Sequence, residues 1–194
     1  MEKLYFYMFY KNIIMSFRIH TNRYLYQQFA SDINNITVSG PLDLGYGQFS
    51  YNQNLSVNGV NVATPIPYDT TEIAKYCSYS GSNINILKAG VWKFAYSVQL
   101  DKNSGGVDYV DIWIKVNGTN IPRSSSRATI QSQNGEVFVY CEYILSLNLN
   151  DTIQVYFASP DDTVLAAYFA PQGTPPNDIP AVPAIISTLV QLSI

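Results

Sequence analysis

Two neighbouring runs of the chain alternate hydrophobic and polar residues with a period of two. The first run, residues 90–100, has one face made only of large apolar side chains: Trp92, Phe94, Tyr96, Val98 and Leu100. The second run, residues 108–117, has Val110, Ile112, Ile114 and Val116 on one face, and a mixed face that includes Tyr109, Trp113 and Lys115. This periodicity predicts two β-strands, and the Gly-containing segment 101–106 predicts that they pair antiparallel. Two strands cannot bury such faces alone, so a second sheet must cover them.

Turn signals recur along the chain from Ile33 onwards, at intervals of roughly 8–15 residues. The segments between them are predicted strands, at residues 46–52, 55–63, 73–78, 83–88, 91–101, 108–117, 126–133, 135–148, 152–159, 164–170 and 184–193. Asn58-Gly59, Asn117-Gly118 and Asn134-Gly135 predict tight hairpins, because both central positions of a type I′ turn favour positive φ. About ten antiparallel strands in one domain predict an all-β jelly-roll sandwich.

The two ends of the chain differ from the strand-rich middle. Residues 1–32 are predicted to form an N-terminal arm, poorly ordered or docked on a neighbour, and residues 33–194 the jelly-roll domain. The arm begins with a run rich in Tyr and Phe that Lys11 and Asn12 interrupt, and it lacks a small-residue cleavage site, which disfavours a signal peptide. Met15 is as natural a start as Met1, and the choice between them stays open.

The last strand follows a proline-rich connector, residues 171–183, which is predicted to be extended and to cross an edge or end of the sandwich. The strand itself, 184–193, is apolar on both faces. A strand of this kind is typically central, with one face in the core and the other in a subunit interface. Ile186, Leu189 and Val190 are therefore candidate interface residues.

Composition supports a protein that packs against other subunits. Charged residues make up only 13% of the 194 residues, whereas there are 16 tyrosines. Interface cores are depleted in charge and enriched in aromatics, although an AT-rich genome would produce part of the same bias. The net charge of −3, with no Lys or Arg after Arg127, argues against nucleic-acid binding by the bulk of the chain. No apolar run reaches the length of about 18 residues that a membrane-spanning helix needs.

The sequence offers little catalytic chemistry. His20 is the single histidine and lies in the arm, and Ser124-Ser125-Ser126 has no accompanying base, so we expect no enzymatic activity and no catalytic residues. Cys77 and Cys141 match no metal spacing. Cys141 is predicted to be a small buried side chain, and a bridge between the two stays open.

Three acidic residues near one turn, Asp101, Asp108 and Asp111, are candidate Ca²⁺ ligands, together with Asn103. Their spacing matches no defined calcium loop, and solvated turn acids are the alternative. No other cofactor or metal is expected.

Several segments together resemble the trimeric jelly-roll heads of the complement and tumour-necrosis-factor-like superfamily, in particular the version found in structural proteins of large DNA viruses and phages. The resemblance covers about residues 60–194 and rests on these positions: Gly90, Trp92 and Phe94, the strand from Trp113 to Gly118, Ser124 to Ser126, Leu147 and Leu149 read with Asp151, and the closing apolar strand. Asn150 stands where the family usually has Gly, and no collagen-like repeat precedes the domain.

The resemblance implies a homotrimer with sandwich faces packed around a three-fold axis. It further implies a place on the surface of a virion, or otherwise outside the cell, with other virion proteins as partners. The alternative is a module that recognises a host receptor or glycan through loops such as 101–108 and 160–163. For Tyr109, Trp113 and Lys115, burial at a subunit interface, cover by a loop such as 64–80, and contact with a sugar or receptor all remain open.

Overall fold

The computed structural model describes residues 43–174, 176 and 178–193, and every regular element in them is a β-strand. In chain order the strands are β1 (Tyr46–Tyr51), β2 (Leu55–Ser56), β3 (Thr64–Pro65), β4 (Thr70–Lys75), β5 (Cys77–Ser80), β6 (Asn83–Ile86), β7 (Gly90–Lys102), β8 (Asp108–Val116), β9 (Thr119–Asn120), β10 (Ser126–Ile130), β11 (Val137–Leu147), β12 (Thr152–Ala158), β13 (Val164–Ala166) and β14 (Ile185–Ser193). In this part of the chain, no helix is long and apolar enough to cross a membrane.

The strands form two antiparallel sheets in jelly-roll order. The first sheet runs β4-β1-β14-β7-β11. In the same sheet, β13 pairs with the last residues of β7, and β2 pairs with β13. The second sheet runs β10-β8-β12-β6-β5, with β9 added to β8 and β3 added to β12. The chain changes sheet from β6 to β7 and again from β7 to β8, so strands that are neighbours in a sheet are mostly distant in sequence. The predicted all-β antiparallel jelly-roll sandwich is confirmed.

The core lies between the inward faces of the two sheets. The first sheet contributes fully buried residues from its long central strands, namely Trp92, Phe94, Val98, Leu100, Ile185 and Leu189. The second contributes Val110, Ile112, Ile114, Ile153, Val155 and Phe157. Polar side chains on the inward face of β14 are paired: the Ser187 and Tyr68 hydroxyls lie 2.8 Å apart, and Gln191 bonds to Gly45 N and Ala89 O. The alternation in the sequence therefore gives the correct inward faces of these strands.

The predicted pairing of the two alternating runs is wrong. The strand β7 pairs with β11, β13 and β14, whereas β8 pairs with β9, β10 and β12 in the other sheet. Their apolar faces meet across the core because each strand has only one apolar face, and two such faces are buried most completely against each other. The segment between them therefore joins two sheets and is not a hairpin turn.

Of the three predicted hairpins, only one forms. Asn117 and Gly118 have φ values of 51° and 75° and join β8 to β9, as the type I′ prediction requires. Asn134 has φ of 54°, but the strands on either side of it, β10 and β11, lie in different sheets. After Asn58-Gly59 no return strand follows, because β2 pairs with β13; the strand predicted at 55–63 is limited to its first two residues.

Other differences are local. The strand predicted at 73–78 is two strands, β4 and β5, divided at Tyr76, whose φ is 60°. The proline-rich connector carries two isolated antiparallel bridges, Phe169 with Val182 and Gln172 with Ile179. The predicted arm of residues 1–32, its boundary at residue 33 and His20 lie outside the described residues.

Candidate interaction surfaces

The first sheet presents an outward surface with several large exposed apolar and aromatic side chains, which we call the apolar face. They include Tyr46 of β1, Ile73 of β4, Val190 of β14, and Phe138, Tyr140 and Ile144 of β11. Strand pairing aligns them in rows: Val190 and Ile144 lie on either side of Lys93 of β7, and Tyr140 lies beside Ser97, which pairs with Ile186. Ile144 has 69% of its surface exposed, Phe138 59% and Tyr140 56%. Such a surface is unusual for a domain that functions alone.

One ion pair lies within the apolar face. Lys93 Nζ is 2.7 Å from Glu142 Oε2, and the Tyr140 hydroxyl donates a 2.9 Å hydrogen bond to the same carboxylate oxygen. Hydrogen bonds from Lys93 and Tyr140 lower the pKa of Glu142, and the bond from Lys93 has the larger effect. Lys93 and Glu142 therefore compensate each other, so this part of the face can be covered without leaving either charge unpaired.

The second sheet presents a different outward surface, which we call the polar-aromatic face. It consists of Tyr109, Asp111, Trp113 and Lys115 of β8, Arg127 and Thr129 of β10, Thr152, Gln154, Tyr156 and Ala158 of β12, and Asn83 and Asn85 of β6. The Trp113 and Tyr156 rings stack with centroids 5.8 Å apart and planes 24° apart. Lys115 Nζ lies 4.1 Å from the centroid of Tyr156. Apart from its charged groups, this face consists mainly of aromatic rings, hydroxyls and amides, and Pro65 of β3 lies opposite Tyr156.

The structure separates the six predicted interface residues into three environments. Tyr109, Trp113 and Lys115 lie on the polar-aromatic face, and Ile186 and Val190 lie on the apolar face of the opposite sheet. Leu189 is fully buried within the chain's own core, so that side chain is not available to another subunit. This corrects its assignment to an interface: alternation along β14 turns Leu189 inward, between outward-facing Thr188 and Val190.

Three exposed residues of β11 were missed at the sequence level. Phe138, Tyr140 and Ile144 occupy alternate positions, and the positions between them, from Val137 to Leu145, pack toward the core. The signal was present, because a strand that is apolar on both faces predicts burial on both. It was recognised for β14 but not for β11.

The predicted calcium ligands do not come together as one group. Asp111 accepts two hydrogen bonds from Arg127, of 2.8 and 2.7 Å, whereas Asp108 is ion-paired with Lys102. Asp101 accepts a 2.6 Å bond from the backbone N–H of Lys102. Among the residues described, no three acidic, histidine or cysteine side chains are grouped so as to hold a metal ion.

The loops at 101–108 and 160–163, predicted as recognition loops, are bound to each other. The Ser104 hydroxyl donates a 2.7 Å hydrogen bond to Asp161, and the Thr163 hydroxyl donates 2.9 Å to Ser104. Lys102, which is fully buried, has its ammonium 3.3 Å from Asp161 and 3.2 Å from the carbonyl oxygen of Gly106. Hydrogen bonds from Thr163 and Ser104 hold the pKa of Asp161 well below its usual range.

The remaining candidate groups have structural roles. Cys77 and Cys141 are both free thiols, and burial raises the pKa of Cys77 to about 11. The Ser124 side chain is buried and donates a 2.8 Å hydrogen bond to the carbonyl oxygen of Ile121, which fixes the turn after β9.

Comparison with known proteins finds similarity at the level of three-dimensional structure. A structure of murine APRIL at pH 8.0 has a TM-score of 0.48 and 10% sequence identity, over 77% of this chain and 100% of that chain. The globular domain of zebrafish complement 1qA protein has a TM-score of 0.45 and 8% identity, over 76% of this chain and 97% of that chain. No protein-family model matches the chain, and no curated protein matches its sequence.

Proposed function

We propose that this chain is a non-enzymatic structural protein that assembles as a homotrimer through the apolar face. One observation carries the proposal: Phe138, Tyr140, Ile144 and Val190 are each more than two-fifths exposed on one side of one sheet. Exposed apolar surfaces on globular domains mark interaction sites, and burying apolar surface contributes roughly 25 cal/mol per Å² before association costs.

The composition of the apolar face favours a second copy of the same chain as its occupant. The ion pair at the centre of the face, Lys93 with Glu142, is satisfied internally, so this region needs no complementary charge from a partner. The face is also asymmetric, with Phe138, Tyr140 and Ile144 on the edge strand β11 and Tyr46, Val190 and Ile73 on the strands at its other side. An asymmetric face suits a contact in which the β11 side of one copy meets the β14 side of the next. Contacts of that kind form a ring when the rotation between copies closes, and the family resemblance favours a closed ring of three.

We further propose that the trimer forms part of a virus particle, as a capsid, decoration or fibre component at its surface. The low content of charged residues suits a subunit whose faces are covered by neighbours, and the resemblance to viral and phage heads supplies the context. Mass spectrometry of purified particles tests this role: the chain should be present in stoichiometric amount. Its absence from particles would overturn the particle role and leave the trimer unaffected.

The trimer is tested by the mass of the full-length protein in solution. Light scattering after size-exclusion chromatography should give three times the chain mass. Ile144→Glu should reduce this to the monomer mass, because a carboxylate in an apolar contact loses its hydration. Ile179→Glu is a matched control, since Ile179 is 61% exposed and lies in the proline-rich connector, outside the strands that form the face. A monomeric wild-type protein, or a trimer that survives Ile144→Glu, would overturn the assignment of the apolar face.

A further inference from the structure

The polar-aromatic face is chemically distinct from the apolar face of the opposite sheet. Along β8 and β12, its side chains alternate with inward-facing side chains that are fully buried, namely Val110, Ile112, Ile114, Val155 and Phe157. Apart from Tyr109, the exposed large hydrophobic residues in the described part of the chain lie on the apolar face or in connecting segments. The polar-aromatic face therefore offers ring surfaces set among hydroxyl and amide groups.

The planar groups on this face are fixed in place by one another. The Trp113 indole N–H donates a 2.9 Å hydrogen bond to Asn120 Oδ1, and the indole ring stacks on Tyr156. The Arg127 guanidinium lies 3.8 Å from the centroid of Tyr109 and is held by Asp111 through two hydrogen bonds. Side chains that are already ordered lose little conformational entropy when a ligand binds, so the face is preorganised for recognition.

The two cations on the face differ in how they are compensated. Arg127 has its carboxylate partner in Asp111. Lys115 has no carboxylate within ion-pair distance among the described residues, and its ammonium rests beside Tyr156. An ammonium without an acidic partner next to an aromatic pair is complementary to a ligand that combines an anionic group with an apolar ring surface.

We propose that the polar-aromatic face binds acidic glycans, with a pyranose ring against Trp113 and Tyr156 and the carboxylate or sulfate of the sugar on Lys115. Sugar hydroxyls would then meet the amide of Gln154, whose Nε2 donates a 3.0 Å bond to Ser82, and the amide of Asn85, which lies opposite Thr152. This site lies on the sheet opposite the proposed trimer contact, so it remains accessible in the assembly and either proposal can fail without the other.

The composition of the face favours a sugar over a protein partner. A protein interface of ordinary size covers about 800 Å² per partner and has an apolar centre. Here the unpaired cation and the stacked rings occupy three residues of two adjacent strands. Their neighbours on the face are mostly polar, with Pro65 of β3 opposite Tyr156. One or two sugar residues match that extent, and their hydroxyls match the surrounding amides and hydroxyls.

Saturation-transfer NMR on the full-length protein tests the proposal with defined probes: sialyllactose and a sulfated heparin disaccharide as acidic sugars, and lactose as the neutral control. We expect signal transfer to at least one acidic probe and little to lactose. Lys115→Gln should weaken acidic binding roughly tenfold, because a charge-assisted hydrogen bond is lost. Lys93→Gln, on the opposite sheet, is the matched control and should bind as the wild type does. The sialylated and sulfated probes distinguish a carboxylate ligand from a sulfate ligand.

The ring contact is tested separately with Tyr156→Leu, which keeps an apolar side chain on the strand but removes the stacked ring. This variant should keep the wild-type circular dichroism spectrum and lose transfer from the sugar ring protons. Absence of binding to every acidic probe, equal binding of lactose, or binding unchanged in both Lys115→Gln and Tyr156→Leu would overturn the site. A protein ligand that binds this face while the sugars do not would overturn it as well.

Discussion

Lys102 is a charged residue in an environment that is usually apolar, because its side chain is fully buried. It follows Leu100 by two positions, so it continues the inward face of β7 and is fully buried at the end of the core. A buried ammonium is tolerated only when its charge and its N–H groups are matched, and Asp108, Asp161 and the Gly106 carbonyl oxygen provide the matches. Lys102 thereby joins the end of one sheet to the start of β8 in the other. The strand was predicted to end at residue 101, and no pattern in the sequence indicated acidic partners for Lys102 from two separate segments.

The acidic partner Asp161 gives a prediction about pH. Its pKa in the folded protein is lowered, first by hydrogen bonds from Thr163 and Ser104 and then by Lys102. A carboxyl with a depressed folded pKa stabilises the fold above its unfolded pKa of about 3.9, and that contribution is lost as the pH falls through the lower, folded value. Asp161→Asn should therefore reduce the free energy of unfolding by about 2 kcal/mol at neutral pH. The difference from wild type should shrink as the pH is lowered below about 4, as measured by urea unfolding monitored by circular dichroism.

The neighbouring Asp162 provides the control for this measurement. Its side chain is exposed, so Asp162→Asn should change stability by less than about 0.5 kcal/mol at any of these pH values. An Asp161→Asn variant as stable as the wild type at neutral pH would show that the Lys102 cluster is not a stabilising junction.

At the scale of single elements, the alternation along β14 assigns opposite roles to adjacent residues. Leu189 is fully buried in the core, whereas Val190 is 42% exposed on the apolar face. Leu189→Glu should abolish the cooperative thermal transition, because a buried unpaired carboxylate costs an amount comparable to a total stability of about 5–15 kcal/mol. Val190→Glu should retain the cooperative thermal unfolding transition and should lower the molecular mass of the protein measured in solution. Circular dichroism and light scattering on both variants check the pair; equal effects of the two substitutions on folding would contradict this orientation of β14.

The strands themselves were largely predictable from the sequence, whereas their partners were not. Runs such as 91–101 and 108–117 alternate so regularly that their limits are correct to within one or two residues. Alternation specifies which side chains face inward, but it does not specify which strand lies alongside. Short connections favour pairing of consecutive strands, and that local preference is outweighed here by the burial of two apolar faces against each other. For the outward face of β11 the reverse holds. Its apolar residues are visible in the sequence, but they were not interpreted as an exposed apolar surface.

For the molecule as a whole, the two outward faces divide the surface between different kinds of contact. The first sheet carries exposed aliphatic and aromatic side chains around one internal ion pair, and the second carries stacked rings among hydroxyls and amides. The candidate interface residues predicted from sequence fall on both faces, because a single strand pattern cannot tell which sheet a strand will join. The separation of the faces allows one to be covered by copies while the other remains open to solvent.

Self-association through the apolar face should couple folding stability to protein concentration. When only the folded chain associates, mass action raises the melting temperature as the concentration rises. Over a hundred-fold range we expect an increase of a few degrees for the wild type, measured by circular dichroism in cells of different path length. Ile144→Glu should make the melting temperature independent of concentration, whereas Lys115→Gln, on the other sheet, should keep the wild-type dependence. If the wild type itself melts at one temperature at every concentration, the exposed side chains of β11 do not mediate contact between copies, and the trimer proposal is wrong.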